Sequence, residues 1–97
     1  MKEYMKKISV DGVSCDAYEI PTSNASLLAI RSGSGMLACG YLKIETAEKL
    51  GDALAIVTGV NDFEQMLEKP VVAASSAAAV LGVCAGMSGR EALICMK

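Results

Sequence analysis

The chain has 97 residues, with nine Lys and Arg against eleven Asp and Glu and no histidine. That length predicts a single domain over residues 1–97, and a net charge of −2 offers no basic stripe to follow a phosphate backbone, so nucleic acid is not an expected partner. Because 53% of the chain is hydrophobic but only 4% aromatic, the core must be built from Ala, Val, Leu, Ile and Met. This surplus of apolar residues over the needs of a small core predicts a homo-oligomer.

The opening run MKEYMKKISVDG carries no apolar stretch of the signal-peptide kind, and its lysines (Lys2, Lys6 and Lys7, diluted by Glu3) read as a solvated chain end. Residues 4–10 alternate in strand fashion and lead into Asp11-Gly12, a hairpin signal. A second run over residues 13–20 stops at Pro21, a third covers residues 27–30, and Ser32-Gly33-Ser34-Gly35 turns the chain into a fourth over residues 36–42. The first half therefore reads as an antiparallel meander.

The second half alternates helix and strand. Thr46 is the expected cap of a short helix over residues 47–52, with Gly51 near its end, and residues 53–57 form an apolar strand. Asn61 is the expected cap of a helix over residues 62–68, which Pro70 stops. Val71 and Val72 then begin a strand. Ser75 or Ser76 caps a helix through Leu81 that ends at Gly82, and residues 83–85 make a last short strand. Ser88-Gly89-Arg90-Glu91 is a capping box opening the final helix.

The stretch over residues 70–89 carries no charge and is long enough to span a bilayer. It is rich in Ala, Ser and Gly and interrupted by Gly82 and Gly86, so it reads as a buried strand–helix–strand passage, and no membrane partner is expected. The expected location is cytoplasmic. Cysteines at 15, 39, 84 and 95 form no CxxC pair, which argues against a zinc site and, without a secretory signal, against a disulfide framework. No metal and no cofactor are implied. These elements give an α+β domain: a compact two-layer α/β sandwich in which the meander is followed by interleaved helices and strands.

Three stretches resemble a known family. GMLACGYL (residues 35–42) is similar to its central strand, a hydrophobic run into Cys-Gly, and GMSGREAL (residues 86–93) to its C-terminal signature. Between them, residues 56–67 resemble its middle section, with Gly59-Val60 ahead of a capped helix. This is the YunC-like family, a domain of unknown function in small bacterial and archaeal proteins. The resemblance implies the two-layer sandwich and no assigned activity. The chain departs from it at Lys43, where an acidic residue is expected.

The residues offer two candidate sites. Gly86, Met87, Ser88, Gly89 and Arg90 lie where a helix begins, and glycines with an arginine there suit a carboxylate or phosphate. A small anionic metabolite bound at this loop is the leading functional expectation. Cys39 is the candidate nucleophile of a thiol-dependent enzyme, with Lys43, Arg90 or a helix end lowering its pKa in place of histidine. A third expectation is an accessory or structural subunit of a protein complex. Whether the protein is an enzyme at all is left open by its residues. Ser32-Gly33-Ser34-Gly35 lacks the GK[ST] of a phosphate loop, and a hydroxyl nucleophile relying on histidine is excluded by composition.

Overall fold

A computed structural model describes residues 5–97; Lys2, Glu3 and the expected strand start at Tyr4 lie outside the described residues. The hairpin forms as read. Strand β1 (Met5–Val10) pairs antiparallel with β2 (Val13–Pro21), and both turn residues are left-handed, Asp11 at φ 51° and Gly12 at φ 84°, the geometry that matches the twist of the flanking strands. Strands β3 (Ser26–Arg31) and β4 (Gly35–Ala38) complete the meander.

Strand β5 (Ala53–Ile56) joins β4 in parallel. A parallel pair needs a crossover, and helix α1 (Ile44–Leu50) supplies it. Helix α2 (Phe63–Glu68), strand β6 (Ala73–Ala74), and helices α3 (Ser76–Val80) and α4 (Gly89–Cys95) follow. The six strands lie side by side in chain order.

Alternation along the strands separates two faces. Leu28, Ile30, Leu37 and Ala55 point toward Met66, Leu93 and Met96 of the α2–α4 side and form the main core. Ala29, Ala38, Leu54 and Ile56 point the other way, where Ala47 of α1 covers them. The α+β class is as expected, and α1 stands alone on the face opposite the other helices. Over β1 and β2 this second face is open, with Met5 and Ile20 exposed.

Local details depart from the sequence reading where packing outweighs capping. Helix α1 begins at Ile44 behind Lys43, with no side-chain cap, and Thr46 lies inside it. Its end, Gly51 at φ 76°, is as read. Asp62 rather than Asn61 caps α2, accepting from the Gln65 amide at 2.8 Å. The strand expected at Val71 and Val72 pairs two residues later, at Ala73–Ala74. Residues 83–85 form no strand, because the Val83 amide turns back to the Ala78 carbonyl (3.1 Å). Ser75 caps α3 and is fully buried; its hydroxyl donates to the Asp52 carbonyl (2.7 Å) and accepts from the Leu54 amide (2.9 Å).

The turn between β3 and β4 clasps the end of α4. The Ser34 amide (2.6 Å) and the Ser32 hydroxyl (3.1 Å) both donate to the Met96 carbonyl. Among the described residues no helix is long and apolar enough to cross a membrane.

Candidate functional site

The segment over residues 86–90 is a junction between elements. Gly86 is left-handed at φ 98° and its amide donates to the Val71 carbonyl (2.9 Å); the Val71 amide returns a bond to Met87 (2.7 Å). The capping box is present: the Glu91 amide donates to the Ser88 hydroxyl, and the Ser88 amide to Glu91 Oε1, both at 3.1 Å. The Gly89 amide donates to the Lys69 carbonyl at 3.0 Å. A Cβ at Gly89 would overlap the Met66 carbonyl oxygen and reach within 2.8 Å of Leu37. This glycine serves the close approach of α4 to α2.

Arg90, the expected anion clamp, is paired across the molecule with Asp11 at 3.1 Å. It ties α4 to the β1–β2 turn. A helix of under two turns with its cap filled and its arginine engaged presents few free donors.

Cys39 follows β4 and is 6% exposed. Its sulfur accepts from the Leu28 amide at 3.3 Å and its own amide donates to the Leu28 carbonyl at 3.0 Å, so it extends the β3–β4 ladder. The cleft beside it, about 450 Å³, is lined by Ser26, Gly40, Val60 and Asn61 among others, with no cation among its lining residues. At Gly40 a Cβ would only touch Thr58 at 3.6 Å, an ordinary contact, so close approach does not require that glycine. The structure brings neither Lys43 nor Arg90 to the Cys39 cleft. Of the other thiols, Cys15 is buried, Cys95 half-buried and Cys84 exposed, and all are free; burial, aided by the Asp16 charge, raises the Cys15 pKa.

The larger concavity was not singled out from sequence. It is a groove of about 710 Å³ between α1 and the sheet, over β4. Met36, Ala47 and Leu54 form an apolar floor and Leu50 a wall; Lys43 and Tyr41 stand at one end, Arg31 and Asp52 at the other. Tyr41 is held by a 3.0 Å bond between its hydroxyl and that of Thr22. Among the described residues neither Arg31 nor Lys43 forms an ion pair; those found are Lys7–Asp16 (2.8 Å) and Arg90–Asp11. Ligand sites are typically apolar concavities of about 300–1,000 Å³ with a few convergent polar groups, and this groove has that character. Its signal in the sequence was faint: two cations, twelve positions apart, flanking a glycine-rich turn and a strand.

Comparison with known proteins agrees with this architecture. Residues 38–96 match the family described as Domain of unknown function (DUF1805), and the chain belongs to that family. It is similar to the uncharacterized protein YunC of Bacillus subtilis (strain 168), 30% identical over 93 residues, or 92% of each chain. It also resembles the crystal structure of a protein of unknown function, TA1206 from Thermoplasma acidophilum, with a TM-score of 0.90 and 32% identity. That match covers 96% of this chain and 91% of the other. The resemblance read from GMLACGYL and GMSGREAL is therefore correct.

Proposed function

We propose that the protein binds a small organic anion, as the sequence suggested, but in the α1 groove rather than at residues 86–90. The observation that carries this reading is the pair of cations without ion-pair partners, Arg31 and Lys43, at the two ends of an apolar floor. Arg90, by contrast, is engaged by Asp11. Asp52 beside Arg31 offsets one charge, so the Lys43 end takes the carboxylate or phosphate and the apolar body of the ligand lies along Met36 and Leu54. A hydrogen-bonding group at the far end meets Asp52. We place the protein in the cytoplasm, where its four free thiols stay reduced.

The test is a thermal-shift and calorimetric screen of small carboxylates and phosphates carrying apolar groups. Binding to the native state alone raises the melting temperature by mass action. Lys43→Ala should weaken the best hit about tenfold or more, since a hydrogen bond to a charged group is worth about 1.5–3 kcal/mol, while Arg90→Ala should leave its affinity unchanged. The reverse pattern would return the site to residues 86–90. No stabilisation by any member of the screen would sink the reading.

A further inference from the structure

We infer that the cleft beside Cys39 is a second binding site, separate from the α1 groove, for the carbonyl or carboxamide group of a small uncharged molecule. Topology puts a site there. Strands β4 and β5 are the one parallel pair among the described strands, yet the chain leaves them in opposite directions. After β4 it passes to α1, whose Ala47 covers one face of the sheet. After β5 it passes to α2, whose Met66 lies in the core on the other face. Where the connections of two parallel strands part in this way, a crevice opens beyond their carboxyl ends, and open α/β sheets bind their ligands in it. The cleft of about 450 Å³ lies at this point. Cys39, Gly40 and Tyr41 line it from the exit of β4, and Gly59, Val60 and Asn61 from the exit of β5.

The lining supplies hydrogen-bond donors in excess. Cys39 is only 6% exposed, and its sulfur accepts from the Leu28 amide. Its S–H donates to no protein group among the described residues, whereas the buried Cys15 S–H donates to the Val13 carbonyl (3.6 Å). A thiol at the wall of a cleft with its acceptor role filled has only its hydrogen to offer a guest. The backbone amides of Gly40, Tyr41, Gly59 and Val60 likewise have no acceptor among the described residues. A glycine in each exit loop leaves that backbone uncovered by a side chain. Such a site wants an acceptor oxygen.

Charge then separates a carbonyl from a carboxylate. No charged residue lines the cleft, and the shallower hollow that shares Gly59 and Asn61 with it is lined by Asp62, Glu64 and Glu68 against Lys69 alone. An anion in the cleft would have no cation beside it and carboxylates next door, an unfavourable placement in a partly desolvated site. A neutral carbonyl meets the same donors without that penalty. The α1 groove, with Arg31 and Lys43 at its ends, has the opposite preference, so the two sites stand or fall separately.

Amide-resolved NMR titration with three probes of one shape tests this. Benzamide offers a carbonyl acceptor without charge, benzoate carries a negative charge, and benzamidinium offers donors only. Benzamide should shift the Gly40, Gly59 and Val60 amide signals saturably, and the other two probes should leave them in place. Shifts at Met36 and Lys43 with benzoate would report the α1 groove, so each site is read on its own signals. Gly40→Leu should abolish the benzamide shifts at Gly59 and Val60. A Cβ there meets only Thr58, at 3.6 Å, and the backbone is not left-handed, so the new side chain fills the cleft without strain. Asn61→Trp, at an exposed position of the lining, blocks the cleft in its place if Gly40→Leu does not give the dispersed spectrum of a folded chain. Absence of saturable shifts with benzamide, equal shifts with benzoate or benzamidinium, or benzamide binding that survives a folded blocking variant would each overturn the proposal.

Discussion

Two regions of this molecule handle their polar groups in opposite ways. At residues 86–90 the cap, the Gly86 and Gly89 amides and the Arg90 guanidinium are engaged within the chain. Around α1, the helix begins without a side-chain cap and Arg31 and Lys43 have no ion-pair partner among the described residues. The first region carries the distinctive GMSGREAL run; the second borders the less distinctive GMLACGYL run, whose Gly35, Met36, Tyr41 and Leu42 line the groove. The most distinctive motif therefore marks a demanding junction here, while the cations left unpaired among the described residues lie outside it.

This contrast predicts where substitutions damage the fold. The largest effect belongs to Gly89→Ala, whose methyl would overlap the Met66 carbonyl, a backbone atom with little room to move. Overpacking against backbone should cost about 3 kcal/mol, read as a fall in the midpoint of denaturant unfolding; a loss under about 1 kcal/mol would mean that α2 and α4 adjust freely. Ser88→Ala comes next, at about 1 kcal/mol, the usual cost of a lost helix cap. In a domain of this size that corresponds to a melting point lower by about 4–8 °C. An unchanged melting point would show that the box is ornamental and would weaken the contrast.

The smallest effect lies on the α1 side and depends on pH. Glu48 accepts from the Ser76 amide (2.8 Å) and hydroxyl (2.7 Å), joining α1 to α3 around the sheet edge. The amide bond first, and the hydroxyl bond second, hold its carboxyl below the ordinary carboxylate range. A lowered folded pKa contributes stability that is present above the unfolded value and is lost as the pH falls through the folded value. Glu48→Gln should therefore flatten the acid limb of the stability–pH curve and leave its shape near neutrality unchanged. The effect will be modest because the group is exposed. An identical acid limb in the variant would show that the tether does not form.

What was legible in the sequence follows the same division. The Asp11-Gly12 hairpin, the stop at Pro21, the cap at Ser75 or its neighbour Ser76 and the box at Ser88 were all readable, because each is a local rule obeyed locally. The start of α1 was not, since burial of Ala47 against the sheet sets it in place of a polar cap at Thr46. The strand at Ala73–Ala74 was displaced from Val71 because its position is fixed by pairing with β5, a long-range contact. Arg90 was read as a clamp because nothing in the local sequence points to Asp11, 79 residues away. The α1 groove arises from a crossover placing one helix alone on a face, and single-residue patterns do not encode which face a helix takes.

The clasp between the β3–β4 turn and Met96 sets an order of events during synthesis. Ser32 and the Met96 carbonyl are 64 positions apart, whereas every pairing in the meander is between neighbours in sequence. Local pairings close early and distant ones late. On the ribosome the meander will form while its main hydrophobic face is still bare, and that face will wait for Leu93 and Met96 to emerge. The half-made sheet is the species a chaperone would meet, and α4 is the segment whose arrival ends that exposure.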